Sequence, residues 1–327
     1  MSKAIRITKN GGPEVMEYVD VDIGPPCPGQ AQVRHEAIGL NFIDVYHRTG
    51  LYPQPMPAGL GLEGAGIVEA VGEGVTEVKV GDRVTYAGGL PGSYSQVRNM
   101  ASARLLVLPD KIDFETAAAM TLQGLTVQYL FHRTSPLKAG DTILFHAAAG
   151  GIGLIASQWA RVLGVNMIGT AGSDEKVALA LDHGCSHVIN YNKENFTERV
   201  RELTNGKGVS VVYDSIGRDT FIGSLDCLAP LGLMVSFGNA SGPVPPVSLA
   251  ELNKRGSLFL TRPSIAAYTS TREDLEAAAN SLFGVVASGE VKIGINQRYP
   301  LSQVAQAHAD LEARKTTGST ILLPQEA

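Results

Sequence analysis

Three closely spaced glycines set the chemistry open to this chain. In Phe145-His146-Ala147-Ala148-Ala149-Gly150-Gly151-Ile152-Gly153, the pattern Ala148-x-Gly150-Gly151-x-Gly153 separates two apolar segments. Before it runs Thr142–Phe145, short and strand-like. After it, Ile152, Ile155, Ala156, Trp159, Val162 and Leu163 recur at the spacing of one buried helix face. A strand-to-helix turn of this kind lets backbone approach a pyrophosphate. The helix N-terminus then offers unpaired N–H groups and a positive dipole end to its charge. Gly150, Gly151, Ile152 and Gly153 are thus the expected phosphate contacts of a dinucleotide site. Ala148 stands where the usual fingerprint has its first glycine, and the competing reading is a purely structural turn.

The next strand end discriminates between dinucleotides. A carboxylate about 20 residues after the glycines binds the ribose 2′-hydroxyl of NAD. Here the sequence reads Gly169-Thr170-Ala171-Gly172-Ser173, with no acid. Ser173 can donate a hydrogen bond and Lys176 can meet a 2′-phosphate. Asp174 suits a cap or first-turn position of the following helix. NADP is therefore favoured over NAD, with Lys176 as an ordinary solvated residue the alternative.

The rest of the chain must position that turn. With 327 residues, 44% hydrophobic and 18% charged, it can form two domains with cores of their own. A net charge of −5 gives no electrostatic reason to expect nucleic acid or an anionic membrane. No apolar run approaches the ~20 residues that span a bilayer, and the first residues lack a signal peptide's apolar core. Cys27, Cys185 and Cys227 lie far apart, which suits a reducing compartment. A cytoplasmic protein is expected.

Up to about residue 120, short strands such as Val33–Ile38 and Gly66–Val71 alternate with glycine and proline turns. From Gln123 the rhythm becomes strand and helix in turn. Strands are expected at Asn166–Thr170, His187–Asn190, Val209–Tyr213, Leu233–Phe237 and Leu258–Thr261. Helices are expected at Asp174–Asp182, Phe196–Thr204 and Thr220–Cys227. This alternation argues a parallel sheet covered on both faces. Past Pro263 come a helix at Arg272–Ser288, strands at Val291–Ile295 and Tyr299–Leu301, a helix at Val304–Ala313 and a strand at Ser319–Leu323. This tail exceeds what a six-stranded nucleotide sheet needs, so it is expected to return to the first domain.

Taken together, these residues resemble the medium-chain dehydrogenase/reductase superfamily, in its zinc-independent, ζ-crystallin-like NADPH:quinone oxidoreductase branch. The resemblance rests on Gly140-Asp141, Leu144, the glycine turn, Gln158 and Arg161. Upstream it rests on Asn41-Phe-Ile-Asp44-Val-Tyr46-x-Arg48-x-Gly50-x-Tyr52-Pro53 and Gly61-Leu62-Glu63-Gly64-Ala65-Gly66-x-Val68. Val211–Asp219 and Ser236-Phe237-Gly238-Asn239 complete it. It implies an α/β architecture: a GroES-like, mostly-β catalytic domain plus a Rossmann, doubly wound parallel-sheet domain that binds NADPH. Residues 1–122 and 265–327 would form the first and residues 123–264 the second, with cofactor and acceptor in a cleft between them. Carried over, Asn41 and Asp44 would face the nicotinamide. Tyr129, Gly151, Ile152, Ser173, Lys176, Tyr191, Phe237, Gly238, Asn239 and Arg314 would contact the nucleotide. Without the resemblance, Tyr129 and Tyr191 read as packing residues and Arg314 as a solvated charge.

Relatives that bind catalytic zinc hold it through a cysteine and a histidine at positions filled here by Asn41 and Leu62, so no metal is expected. His183, Cys185 and His187 are the best remaining cluster. Without a Lewis acid, the substrate must already be electron-poor, as a quinone or conjugated enone is. Tyr46 and Tyr52 would hydrogen-bond the developing oxyanion. Metal-free quinone reduction by NADPH is the leading expectation. A 2-alkenal, enone or enoyl thioester reductase is the alternative within the same chemistry, and an NADPH-binding structural protein of the crystallin kind is the alternative outside it. The apolar segment Leu258-Phe259-Leu260 is expected at a sheet edge, where it would pair with a second copy in a homodimer.

Overall fold

The structure, a computed structural model, describes residues 2–325. It divides into two compact units, one of Met1–Leu125, Thr269–Ser288 and Ile293–Ala327, the other of Thr126–Tyr268 and Gly289–Lys292. Among the described residues no helix is long and apolar enough to cross a membrane.

In the first unit the strand Gln30–Leu40 is the organiser. It pairs antiparallel with Glu63–Val71 on one side and Ser319–Leu323 on the other, and Val97–Ala101 also pairs with it. The sheet continues outward through Arg83–Ala87 and Leu106–Val107, and at its other end through Ile295–Pro300. Burial alternates along Gln30–His35 as period-two packing requires, then becomes continuous from Ala37 to Leu40 where the strand runs into the core. A smaller sheet orders Glu17–Val21, Ser2–Ile7 and Ala58–Gly59. Ile5, Ile7, Ile38, Leu40, Leu60 and Leu322 share one core, so the last strand of the chain seals the first.

The second unit carries six parallel strands in the order His187–Asn190, Asn166–Ala171, Thr142–Phe145, Val209–Asp214, Leu228–Ser236, Phe259–Thr261. This is the doubly wound order, with the first strand in the middle and the chain reversing direction beside it. Leu144, Ile168, Val212, Leu225 and Met234 pack in its core.

Three strand expectations change. Leu233–Phe237 begins earlier, at Leu228, with an irregularity in its pairing to Val209–Asp214. Leu258 lies in the core and precedes the edge strand, which exposes Phe259 and Leu260 (60% and 44%). Val291–Ile295 is irregular up to Ile295, where the strand Ile295–Pro300 starts. Its backbone has another partner: Lys292 N donates to Gln158 Oε1 and Gln158 Nε2 donates to Lys292 O, each at 2.9 Å. A side-chain amide has taken the place of a ladder.

Candidate active site

Asn41 stands between the end of the organising strand and the helix Phe42–Thr49, which it caps in a capping box with Asp44. Antiparallel pairing puts Gly39 opposite Glu63. The Asn41 side chain thereby meets a buried carboxylate, Nδ2 donating to Glu63 Oε2 at 2.6 Å. Gln123 Nε2 donates to Asn41 Oδ1 at 3.3 Å, and the Leu122 N–H donates to Glu63 Oε1 at 2.7 Å. The amide of Asn41 is thus oriented from both ends. Gly39 must lack a side chain, because a Cβ there would collide with the Glu63 carboxylate and with Ala118 O.

Burial pushes the Glu63 carboxyl up to about 8, against the pull of its hydrogen bonds from Asn41 and Leu122. Asp44 is likewise pushed up to about 7 by burial, opposed by the Asn41 N–H and by Tyr94. It has no exposed surface, and its partners are Asn41 N at 2.9 Å and Tyr94 Oη at 2.8 Å. Its other oxygen, Oδ1, lacks a partner among the described residues. Behind Asp44 runs a directional chain. Arg48 can only donate, so His308 Nδ1 accepts from Arg48 Nη1 at 3.1 Å and the proton sits on Nε2. From there it faces Tyr94 Oη at 3.0 Å, and Tyr94 donates on to Asp44. Arg48 is closed by Glu312, with Nη2 donating to both carboxylate oxygens at 2.8 Å. His308 is held neutral, lowered to about 3 by burial first and by Arg48 second.

Tyr46 lies two residues further along the same helix, buried, with Tyr52 edge-on at 5.2 Å between ring centroids. The backbone joins them, Tyr52 N donating to Tyr46 O at 3.0 Å. Asn41, Asp44, Tyr46 and Tyr52 therefore come together on one short helix and the turn after it. Arg314 is exposed in the same unit, just past the helix Val304–Glu312, with a left-handed backbone (φ 58°).

In the second unit Gly150 is the N-cap of the helix Gly151–Val162 and provides no side-chain cap, so the first-turn N–H groups keep their donor capacity for a ligand. A Cβ on Gly153 would lie 2.5 Å from both Ala147 O and Ala148 O, so only glycine closes the turn. Ala148 is tolerated in place of the first glycine because the neighbouring strand has Gly169: a Cβ there would lie 2.6 Å from that of Ala148. The positive φ falls instead on Ala147, at 57°.

Ser173 caps the helix Asp174–Asp182, its hydroxyl accepting from Lys176 N at 3.3 Å. Asp174 is a first-turn residue and its carboxylate is engaged by Lys193 at 2.5 Å and Asn190 at 2.8 Å. Tyr191 follows the adjacent strand, 40% exposed, with its hydroxyl over Gly172. Ser173, Lys176 and Tyr191 are thus neighbours at the carboxyl edge of the sheet. Phe237 packs on Phe145 at 5.7 Å between centroids. Arg262 fixes the turn after it, donating to Gly238 O at 2.9 Å and Ser236 O at 3.1 Å. Asn239, with its oxygen toward Arg262 Nη2 at 3.0 Å, donates to Gly238 O at 2.9 Å. Tyr129 stacks on Tyr268 at 4.6 Å, almost wholly covered.

Glu63, Gln123 and Arg262 escaped the sequence reading. Glu63 had a signal, a lone acid in the otherwise small and apolar run Gly61-Leu62-Glu63-Gly64-Ala65. Gln123 and Arg262 had none.

The residues present do not fit a zinc site. Cys185 is buried against Gly169, with its thiol pushed up to about 12 by burial, and His183 Nδ1 is tied to Leu179 O at 2.7 Å. Among the described residues no group of three or more His, Cys, Asp or Glu side chains is arranged to hold a metal ion.

Two family models match the chain, the alcohol dehydrogenase GroES-like domain over residues 27–110 and the zinc-binding dehydrogenase model over residues 151–283. The chain is 57% identical to a quinone oxidoreductase of Pseudomonas aeruginosa over 325 residues, covering 99% of this chain and 100% of that one. A 2-haloacrylate reductase of a Burkholderia species is 44% identical over 333 residues, with 99% and 100% covered. The crystal structure of Escherichia coli quinone oxidoreductase complexed with NADPH superimposes with a TM-score of 0.97 at 51% identity, covering 98% of this chain and 100% of that one. On two matched domains and identity above one half along its whole length, the chain belongs to the quinone oxidoreductase family of the medium-chain dehydrogenase/reductase superfamily.

Proposed function

We propose that this protein reduces quinones with NADPH without a metal. The observation that carries the cofactor is the pairing of an uncapped helix N-terminus at Gly150 with a strand end whose nearby acid, Asp174, is already engaged by Lys193 and Asn190. Gly150, Gly151, Ile152 and Gly153 would hold the pyrophosphate, Ser173 and Lys176 the 2′-phosphate, and Tyr191 the adenine. Phe237, Gly238 and Asn239, braced by Arg262, would line the nucleotide's other half, with Tyr129 and Arg314 as further contacts. NADPH, when bound, would supply the electrons, as a hydride or one at a time.

The chain's own residues supply orientation and a proton-side partner. Asn41 Nδ2 gives one hydrogen to Glu63 and has a second for the nicotinamide or the acceptor. Asp44 acts through Asn41, whose N–H it accepts. The hydroxyls of Tyr46 and Tyr52 would donate to the oxygen on which negative charge grows as a quinone is reduced. A quinone needs no Lewis acid for this step, so the absence of zinc ligands is compatible with the chemistry.

The likeness to a 2-haloacrylate reductase supports a second acceptor class, an electron-poor alkene carrying a carboxylate. NADPH consumption measured in parallel with 1,4-benzoquinone, a naphthoquinone, 2-chloroacrylate and crotonyl-CoA separates these readings. Quinone turnover with NADPH at least tenfold faster than with NADH is the expected result. Preference for the chloroacrylate or the thioester would reassign the substrate, and no turnover with any acceptor would favour an NADPH-binding structural role. The exposed Phe259 and Leu260 at the sheet edge favour a homodimer through that strand. Light scattering should give twice the chain mass, falling to one chain mass for Phe259→Lys.

A further inference from the structure

A recess of about 280 Å³ opens in the first unit, with Arg6, Asp22, Gly92, Ser95, Arg98 and Asn99 in its wall. Two guanidinium groups share it. A Cβ on Gly59 would lie 2.5 Å from Arg6 Nη1 and 3.1 Å from Gly92 Cα, and a Cβ on Gly92 would lie 3.6 Å from Arg98 Cζ. Glycine at 59 leaves the space that Arg6 occupies, whereas a Cβ at Gly92 would make only ordinary contact with Arg98. Arg98 is anchored: Nη2 donates to Leu90 O at 3.1 Å, and the group lies 5.5 Å over the Tyr86 ring.

Arg6 differs. Its side chain is half-buried and makes no hydrogen bond or ion pair among the described residues. Burial first, and the charge of Arg98 second, hold its guanidinium below the ordinary value. Asp22, exposed on the rim, forms no ion pair with either arginine among the described residues. The wall therefore carries two positive charges against one negative. A half-buried cation without an acceptor, facing a like charge, is an unfavourable arrangement. A planar donor fork is also the group best shaped for a carboxylate or phosphate, and a small anion would satisfy Arg6 while screening it from Arg98.

We propose that Arg6 and Arg98 form a binding site for a small oxyanion, a carboxylate or phosphate group. The site shares no residue with the Asn41–Glu63 cluster or with the glycine turn. Its ligand stabilises the first unit by binding only the folded state.

Thermal unfolding of the full-length protein and of Arg6→Gln tests this at constant ionic strength, with chloride replaced by acetate, inorganic phosphate or glycerol phosphate. Each series is run with and without saturating NADPH, so that an effect of phosphate on the nucleotide site is recognised. The wild-type Tm should rise by about 1–3 °C in at least one oxyanion, and that of Arg6→Gln should not. In chloride, Arg6→Gln should melt no lower than wild type, because it loses a repulsion and no bond. A rise in acetate assigns a carboxylate, a rise in inorganic phosphate alone a free ion, and a rise in glycerol phosphate a phosphate monoester. Equal responses in the two proteins, no response in wild type, or a variant several degrees less stable in chloride would overturn the proposal.

Discussion

Asn41 Nδ2 and Glu63 Oε2 are 2.6 Å apart with both residues buried, and this bond fixes which way the Asn41 amide faces. Glu63 accepts on both oxygens, from Asn41 and from Leu122, while Gln123 donates to the opposite end of the Asn41 amide. A polar network satisfied in this way holds one orientation.

Above pH 8, where Glu63 is ionised and accepts on both oxygens, Glu63→Gln should therefore damage turnover more than folding. A glutamine can accept from Leu122 through its oxygen, but its NH2 then faces the NH2 of Asn41. Either Asn41 flips and loses Gln123, or a buried donor goes unpaired, at a cost of about 1–3 kcal/mol. A fall in kcat/KM of roughly 10- to 100-fold with quinone and NADPH is expected. Steady-state kinetics beside a melting curve checks it, and unchanged kinetics would show that Asn41 does not need this partner.

Both buried acids should make stability fall as pH rises. Asp44 and Glu63 have folded values raised to about 7 and about 8, above the ordinary carboxylate range. The folded state thus holds protons that the unfolded chain releases from about pH 4 upward. Their contribution is complete below that pH and lost on the way to pH 8, on the order of 1–4 kcal/mol each. Between pH 7 and 8, above the range in which His35, His146 and His308, all lowered by burial, impose the opposite slope, urea unfolding should show a declining midpoint, and Asp44→Asn or Glu63→Gln should each flatten part of the decline. A rising midpoint would contradict the assignment.

Lys176→Ala should raise the KM for NADPH by about tenfold and leave that for NADH unchanged, since only the former has a 2′-phosphate. Ser173→Ala should also destabilise its helix, by about 0.5–2 kcal/mol, because Ser173 is the N-cap. Comparing the two cofactors in each variant separates phosphate recognition from loss of the cap.

Two glycines of the same turn should fail differently. Gly153→Ala drives a methyl against two backbone oxygens, which cannot move aside as a side chain would, and should cost about 1–3 kcal/mol. Gly150→Ala meets only Ala147 O, at 3.3 Å, and has an ordinary extended backbone. It should leave unfolding nearly unchanged yet weaken NADPH binding, because its methyl would stand where backbone approaches the pyrophosphate. Denaturant titrations with and without NADPH distinguish the pair.

The glycine turn, the helix that follows it and the order of strands after Gln123 were legible in the chain, because period-two and 3.6-residue patterns are local properties of backbone geometry. The missing acid at the end of Asn166–Ala171 was equally visible, being a matter of one position counted from another. Several things were not local. Asn41 faces Glu63 only because two strands pair in a register that sets Gly39 opposite Glu63. Gln158 replaces a ladder for Lys292 across 134 positions, and Arg262 reaches back to brace Gly238. Ala148 can stand for glycine only because Gly169 lies beside it on the neighbouring strand. Pattern determines which face of an element is buried; which side chains then meet across buried space depends on register and packing, which only the folded chain decides.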